Sequence, residues 1–288
     1  MIELLPSRLP ALARWFPGGA PGVAALPEHV IATGGGRWWA DRVVDPRALA
    51  VSSGDHLLLR GDPGSLAPDA LARFAGSYIE APARFLSVLG GVFQKVDPWE
   101  RMVYVHQAPA MAARPAPGIT VRRPAPEDTP AVVALGPGAA WIHKTWGGPE
   151  QLASSGLCWG AFHRGRALSL ACTYFLGSRY EDVAALADPG HRRQHLALAC
   201  VTALCQDIAA RGRTPSWTCS RDNRPSRLLA WSAGFRLTRE DVHYATGPAR
   251  RQAYQGARAA RPRPVFAGFS AGTARGRGRS VRCGGRTR

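Results

Sequence analysis

The stretch "DPGHRRQHLALAC", residues 188–200, has the outline of a phosphate-binding turn without its usual glycines. A run typical of a strand ends just before it, a proline marks the corner, and a helical pattern follows over about 191–210. Where glycine would allow phosphate to approach the backbone closely, the chain has Arg193, Gln194 and His195. Three interpretations are open: a working anion site, an altered one, and a basic, solvated helix start that binds nothing.

A second turn-and-helix signal follows in "NRPSRLLAWSAGF", residues 223–235. Asn223 suits the N-cap of a helix and Gly234 its C-terminal end. A strand-like run, "SWTCSR", separates the two signals, and three further strands with short turns precede them. Across residues 119–247 the elements therefore alternate as a mixed α/β layer.

In element order and in these two motifs, residues 119–247 resemble the GNAT acetyltransferases. The family's Q/R-x-x-G-x-G/A motif corresponds to Arg192-x-x-His195-x-Ala197, which matches at both ends but not at the central glycine. The pattern N-x-x-S-x-x-L-x(4)-G-F is met at Asn223, Ser226, Leu229, Gly234 and Phe235. The resemblance implies an α/β GNAT fold, in which helices flank a mixed, mostly antiparallel sheet.

The resemblance also implies an enzyme, an N-acetyltransferase that transfers an acetyl group from acetyl-CoA to a primary amine by direct attack. It places the pyrophosphate of acetyl-CoA at a helix N-terminus, where free N–H groups and the helix dipole favour anions. The predicted cofactor-binding residues are Ala185, Leu186, Arg192, Arg193, Gln194, His195, Leu196, Ala197, Asn223 and Ser226. Two interpretations of Arg193 and His195 are open: their positive charge helps to bind the pyrophosphate, or their side chains block the turn. The alternative function is therefore a catalytically impaired GNAT-fold binding or regulatory module.

The catalytic base, by the same resemblance, is a carboxylate on the strand before the turn, where Glu181 and Asp182 stand. Neighbouring strand residues face opposite sides, so only one of the two faces the substrate, and Glu181 is slightly preferred. The family's usual acid, a tyrosine after the leucine of the second motif, is replaced by Ala230. Tyr244 and Ser226 are the candidate substitutes. A structural role for the carboxylates is the other interpretation.

A third candidate region is "AWIHKTWGG", residues 140–148, which lies where the acceptors of GNAT enzymes commonly enter. Trp141, His143, Lys144 and Trp146 are predicted to form a substrate-binding wall. Aromatic residues at this place could equally seal the core.

The net charge of +17 suggests contact with nucleic acid, but its distribution weakens that interpretation. Eleven arginines and no acid lie in 249–288, which leaves only six of the net positive charges for the rest of the chain. This segment has few large apolar residues and is predicted to be disordered. Nucleic-acid binding through it is the less favoured option.

The predicted organisation has four parts. They are an N-terminal α/β accessory domain (1–108), a Pro/Ala-rich linker (109–118), the GNAT domain (119–247) and a basic tail (248–288). Within the first part, residues 66–81 are predicted to form an amphipathic helix, and 99–107 a strand at the edge of a sheet.

The six cysteines show no CxxC pair and no zinc-ligand spacing, which predicts no metal site and a reduced, cytoplasmic setting. No apolar run is long enough to cross a bilayer, so no membrane association is predicted. The preference for arginine over lysine suggests a bacterial source. The sequence leaves a monomer and a homodimer equally open.

Overall fold

A single mixed sheet of twelve strands runs through the residues that the computed structural model describes, 1–192 and 194–250. In the first half of the chain the strands are β1 (Ile2–Glu3), β2 (Arg37–Ala40), β3 (Ala48–Ser53), β4 (His56–Gly61), β5 (Tyr78–Glu80) and β6 (Val96–His106). In the second half they are β7 (Thr120–Arg122), β8 (Cys158–His163), β9 (Arg166–Leu176), β10 (Tyr180–Ala187), β11 (Thr214–Ser220) and β12 (Phe235–Thr246).

Seven α-helices in the same described residues flank the sheet, together with short 3-10 turns. They are α1 (Leu9–Leu12), α2 (Leu26–Thr33), α3 (Leu86–Val92), α4 (Thr129–Val133), α5 (Pro149–Ser154), α6 (Leu196–Ala210) and α7 (Arg224–Ser232). All strand pairings are antiparallel except β4 with β5 and β10 with β11. The predicted mixed, mostly antiparallel sheet flanked by helices is therefore confirmed.

The two halves of the sheet repeat one pattern of pairings outward from its centre. Strands β1 to β4 pair in sequence and β4 continues in parallel with β5, while β7 to β10 pair in sequence and β10 continues in parallel with β11. The last strand of each half is exchanged: β6 pairs with β11, β12 pairs with β5, and β6 and β12 pair with each other. The fold is therefore an internal duplication with swapped terminal strands.

Short sequence repeats accompany this duplication. Asp62-Pro63-Gly64 follows β4 and Asp188-Pro189-Gly190 follows β10, and each begins a 3-10 turn in which the aspartate accepts a hydrogen bond from the glycine N–H at 2.8 Å. Each aspartate also pairs with an arginine at the start of the preceding hairpin, Arg47 in one half and Arg166 in the other. The halves differ after the turn, since α6 follows only the second.

Residues Met1–Arg250 form one compact unit, and β6, near the end of the predicted accessory domain, is a central strand of the shared sheet. The division into an accessory domain, a linker and a GNAT domain stays a prediction. The tail beyond 250 lies outside the described residues, so its predicted disorder and its contact with nucleic acid also stay predictions. Among the described helices, none combines the length and apolar character needed to span a bilayer.

Two local predictions were wrong, and a third was wrong in its starting residue. Residues 66–81 form a 3-10 turn at Ala72–Phe74 and then β5, because Gly76 has a positive φ of 79° and ends the turn. The strand predicted at a sheet edge over 99–107 lies instead at the centre of the sheet, between β12 and β11. The helix predicted over about 191–210 begins later, at Leu196.

Candidate functional site

Strands β10 and β11 separate partway along their length. Their parallel pairing runs only from Tyr180 to Val183, although β10 continues to Ala187 and β11 to Ser220. The main-chain groups of β10 beyond Val183 that face β11 therefore have no partner within the sheet. The pairing of β10 with β9 also shifts register between Asp182 and Val183. This opening gives an extended ligand a strand edge to bind.

A cavity of about 1280 Å³ occupies the opening and continues towards the first half of the chain. We call its two ends the cofactor end, formed by β10, α6 and α7, and the acceptor end. The acceptor end is lined by His56, Tyr78, Trp99, Arg101, Asp182 and His243. All the predicted cofactor-binding residues that the structure describes line the cavity: Ala185, Leu186, Arg192, Gln194, His195, Leu196, Ala197, Asn223 and Ser226. Arg193 lies outside the described residues.

The turn before α6 keeps a glycine-like backbone although it has no glycine at its key position. His195 is the N-cap of α6, with φ 56° and ψ 15°, in the left-handed region. A non-glycine residue there costs about 1 kcal/mol, and glycine adopts it freely. His195 stands where the motif has its central glycine. His195 therefore has a backbone conformation that glycine adopts freely, with an imidazole in addition.

The N-terminus of α6 is open towards the cavity. No side chain of the described residues caps it, and Leu196 and Ala197 of its first turn line the cavity. The nearby carboxylate of Asp188 is paired with Arg166 at 2.6 Å, so it does not oppose an anion at this place. An uncapped helix start beside a strand edge fits the pyrophosphate and pantetheine arm of acetyl-CoA.

Asn223 and Ser226 lie at the start of α7, on the other side of the cofactor end. The Oδ1 atom of Asn223 accepts a hydrogen bond from the Ser226 N–H at 3.1 Å, so Asn223 caps the helix. Its Nδ2 group donates to no described residue and remains available to a ligand. The hydroxyl of Ser226 accepts from the indole N–H of Trp217 at 3.1 Å.

Glu181 and Asp182 face opposite sides of β10, as strand alternation requires. Glu181 is fully buried on the side of α6, where Arg211 (2.8 Å) and Arg213 (3.1 Å) pair with it and Thr173 donates to it. It does not line the cavity. This geometry does not favour Glu181 as the base, because two arginines on the far face of the sheet pair with its carboxylate.

Asp182 is the carboxylate that faces the cavity. Ser216 and Thr218 each donate a hydroxyl to its Oδ1 atom at 3.1 Å, whereas Oδ2 accepts from no described residue. Burial raises the pKa of Asp182 to about 6, against the lowering effect of both hydroxyls and of the Arg101 charge. At neutral pH this side chain is a carboxylate with an appreciable proton affinity, which suits a general base.

Tyr244, the candidate acid, does not line the cavity. It pairs with Ile79 of β5 and packs against the hydrophobic cluster of the first half. Its neighbour His243 lies at the acceptor end instead, because β12 alternates its side chains. Ser226, the other candidate, is on the cavity wall.

Of the four residues predicted to form a substrate wall, only Trp141 lines the cavity. Lys144 pairs with Asp55 at 2.8 Å on the surface. Trp146 packs against a histidine ring and donates its indole N–H to the carbonyl of Thr173 at 2.8 Å, which makes it part of the core. His143 is half-buried and does not reach the cavity.

The acceptor end contains residues that no sequence motif pointed to. His56 comes from β4, Tyr78 from β5, and Trp99 and Arg101 from β6, so the first half of the chain builds much of this wall. Burial, and more weakly the charge of Arg101, lowers the pKa of His56 and of His243 to about 3. Both imidazoles are therefore neutral at ordinary pH. For Trp99 and Arg101 the sequence signal was the alternation within β6, which does not identify the neighbouring strands.

Potential metal ligands do not cluster in the part of the chain that the structure describes. No group of three His, Cys, Asp or Glu side chains there is placed to hold an ion. The five cysteines of these residues are buried free thiols: Cys158, Cys172, Cys200, Cys205 and Cys219.

Comparison with known proteins shows the family of the chain. The family model described as GNAT acetyltransferase matches residues 131–244. An uncharacterised N-acetyltransferase from the mutA 5′ region of Streptomyces virginiae is 60% identical over 212 residues, which cover 73% of this chain and 90% of the relative.

Solved structures show the same fold at low sequence identity. A GCN5-related N-acetyltransferase-like protein from Streptococcus suis superposes with a TM-score of 0.65 at 17% identity, over 83% of this chain and 98% of that one. A tandem GNAT protein from the clavulanic acid biosynthesis pathway superposes with a TM-score of 0.52 at 14% identity, over 84% and 96%. The matches confirm the predicted family and enzyme class: the chain belongs to the GNAT family of N-acetyltransferases.

Proposed function

We propose that the protein transfers the acetyl group of acetyl-CoA to a primary amine by direct attack. One observation supports this proposal: a single cavity is lined by groups suited to both substrates. It joins an open helix N-terminus and an unpaired strand edge at one end to the unpaired carboxylate oxygen of Asp182 at the other.

The cofactor end supplies binding groups for acetyl-CoA, which brings an activated acetyl group. The N–H groups at the start of α6 are suited to bind its pyrophosphate, and the guanidinium of Arg192 lies on the same wall. Ala185 and Leu186 offer main-chain groups to the pantetheine arm, and Asn223 offers its Nδ2 group. These are the interactions that the resemblance implies at these positions.

The chemistry at the acceptor end falls to Asp182. Its carboxylate takes up the proton that the amine nitrogen loses as the bond to the acetyl carbon forms. The carbon–sulfur bond of the thioester then breaks, and coenzyme A leaves as a thiolate that takes a proton from Asp182 or from water. Direct attack needs no covalent acyl-enzyme. Cys219, which lines the cavity, is therefore not required as a nucleophile, and burial raises the pKa of its thiol, which keeps it protonated.

We expect one molecule of acetyl-CoA to bind per chain, although the fold is duplicated. In the first half, the place of α6 after the Asp62 turn is taken by the 3-10 turn at Ala72–Phe74, with Leu71 and Phe74 buried, so it offers no long helix N-terminus. Calorimetry measures the stoichiometry. Thermal shift measures the stabilisation, about 2.7 kcal/mol at 100 times the dissociation constant.

The same measurements test the proposal. Absence of binding at millimolar acetyl-CoA would refute it. Binding without thiol release across a panel of amines would favour the impaired-module alternative. A stoichiometry of two would show that the first half also retains a cofactor site.

Replacing His195 with glycine should tighten acetyl-CoA binding by about threefold to tenfold. Glycine adopts the left-handed conformation without strain and removes the imidazole from the turn that receives the pyrophosphate. R164G is the matched control, because Arg164 is also left-handed, with φ 49°, but lies in the β8–β9 hairpin outside the cavity. It should leave affinity unchanged. Weaker binding by H195G would show that the imidazole contributes to the site.

A further inference from the structure

The acceptor end contains an unusual concentration of buried nitrogen atoms without hydrogen-bond partners. They are Nδ1 of His56, Nε of Arg101, and both ring nitrogens of His243. Buried polar groups in proteins are almost always paired, so each exception calls for a ligand or an ordered water. All three side chains line the same cavity. The polar partners of this end are therefore expected to come from what binds there.

Arg101 sets the strongest requirement on that ligand. Its side chain is 8% exposed, and among the described residues it forms no ion pair. Its one hydrogen-bond acceptor there is the carbonyl of Thr218, at 3.3 Å from Nη2. A guanidinium donates only, and a buried, unpaired one is strongly stabilised by an anion. The ring of Trp99 lies 3.8 Å from its central carbon and holds it in place.

Asp182 presents the opposite charge on the same wall. It also forms no ion pair among the described residues, and Oδ2 is left open. Thr218 links the two charges, because its carbonyl accepts from Arg101 and its hydroxyl donates to Asp182. A buried cation and a buried anion thus both contact Thr218, and neither forms a salt bridge with a described residue. A small ligand with one positive and one negative group would supply an ion-pair partner to Asp182 and to Arg101.

The remaining walls of this end are mostly aromatic; Asp55 also lines the cavity, and its carboxylate is paired with Lys144. Tyr78 stacks on Trp99 with ring centroids 4.2 Å apart, and Trp141 packs against Tyr174 at 5.8 Å. All four line the cavity. Such aromatic surfaces bind apolar or planar groups and add no charge that a ligand would have to match.

We propose that the acetyl acceptor is an amine that also carries a carboxylate, as an amino acid does, with an apolar or aromatic body. Arg101 binds the carboxylate, Asp182 receives the amine, and the aromatic walls hold the body of the molecule. This inference rests on the proposed function for its acetyl-transfer step, but the binding of the acceptor can be measured separately.

The test compares amino acids with their decarboxylated counterparts: L-phenylalanine with 2-phenylethylamine, L-tryptophan with tryptamine, and L-leucine with 3-methylbutylamine. Thiol release with acetyl-CoA gives kcat/KM, and calorimetry without acetyl-CoA gives affinity. We expect the carboxylate-bearing member of at least one pair to be favoured by about 30-fold or more, since the unpaired guanidinium discriminates against the neutral group.

Substitution of Arg101 identifies the cause of this preference. In R101Q the ratio of kcat/KM for the amino acid to kcat/KM for its amine should fall towards one. R101K keeps the charge but not the paired N–H donors of the guanidinium, so its ratio should lie in between. R101K also serves if R101Q does not fold. R221Q is the matched control, because Arg221 is an exposed arginine at the end of β11 that pairs with Glu100 and Glu240 outside the cavity. Its ratio should equal that of the unmodified protein.

Three results would overturn the inference: equal or better use of the decarboxylated amines, a preference that persists in R101Q, or no binding and no acetylation of any of the three amino acids. Failure of acetyl-CoA to bind contradicts the proposed function instead, and the calorimetric comparison still decides the inference.

Discussion

Replacing Asp182 with asparagine should lower kcat/KM by about 10²–10⁴-fold, because the variant lacks the carboxylate that takes the proton from the attacking amine, and the pKa values of His56 and His243, about 3, make both imidazoles weaker bases. Asparagine keeps the size of the side chain and an oxygen that accepts from Ser216 and Thr218. The loss should therefore appear without a loss of fold. Thiol release under kcat/KM conditions measures it, and circular dichroism provides the control.

The pH profile distinguishes a base from a residue that only shapes the cavity. Burial raises the pKa of Asp182 to about 6, so in the unmodified protein kcat/KM should fall about tenfold per pH unit below that value. In D182N the remaining activity should lack this limb. If kcat/KM falls below pH 6 in the same way in both proteins, the titrating group is not Asp182, and Asp182 is not the base.

D182N should also be more stable than the unmodified protein at pH 8. The pKa of Asp182 is about 6 in the folded protein and 3.8 is its ordinary value, so above pH 6 folding keeps a charge in a place that disfavours it. Removing the charge should raise the free energy of unfolding by on the order of 2 kcal/mol at pH 8, and by progressively less as the pH falls towards 4. Denaturant titrations at both pH values measure the difference. A destabilised variant at pH 8 would contradict this account.

The sequence predicted the parts of the site that depend on local patterns. The turn before α6, the cap at Asn223 and the strands around them follow from residues close together in the chain. The turn was recognisable without its glycine, because the flanking strand and helix mark its place, although the helix begins at Leu196 rather than near residue 191.

The acceptor end could not be predicted in this way. Arg101 reaches it because β6 is exchanged with β12 and lies beside β11, and alternation within a strand carries no information about its neighbours. The sequence does contain one trace of the duplication. The Asp-Pro-Gly repeat at residues 62 and 188 marks equivalent corners of the two halves.

The choice between Glu181 and Asp182 illustrates the same limit. Alternation established that the two carboxylates face opposite sides, but not which side contains the cavity. The positions of Arg211 and Arg213 favour Asp182, since both arginines pair with Glu181 from the end of α6, on the far face of the sheet. Two arginines just after a predicted helix were a usable signal that a carboxylate on the adjacent strand is structural.

E181Q should therefore behave in the opposite way to D182N. Glutamine keeps the shape of the side chain but removes the charge that pairs with Arg211 and Arg213, and the residue is fully buried. Breaking a buried pair leaves uncompensated charge. The two arginines are partly exposed and water reduces the cost, so the expected loss is about 2–3 kcal/mol of unfolding free energy. For a unit of this size, that lowers Tm by roughly 5–10 °C.

The kinetic result for E181Q separates the two roles. Below its unfolding transition, the variant should keep kcat/KM within about threefold of the unmodified protein and retain the limb near pH 6, because neither the cavity nor Asp182 is altered. Activity assays at 15 °C, well below the transition, are the appropriate measurement. If E181Q instead loses activity as strongly as D182N while its Tm is unchanged, the base is on the other face of β10, and both assignments must be exchanged.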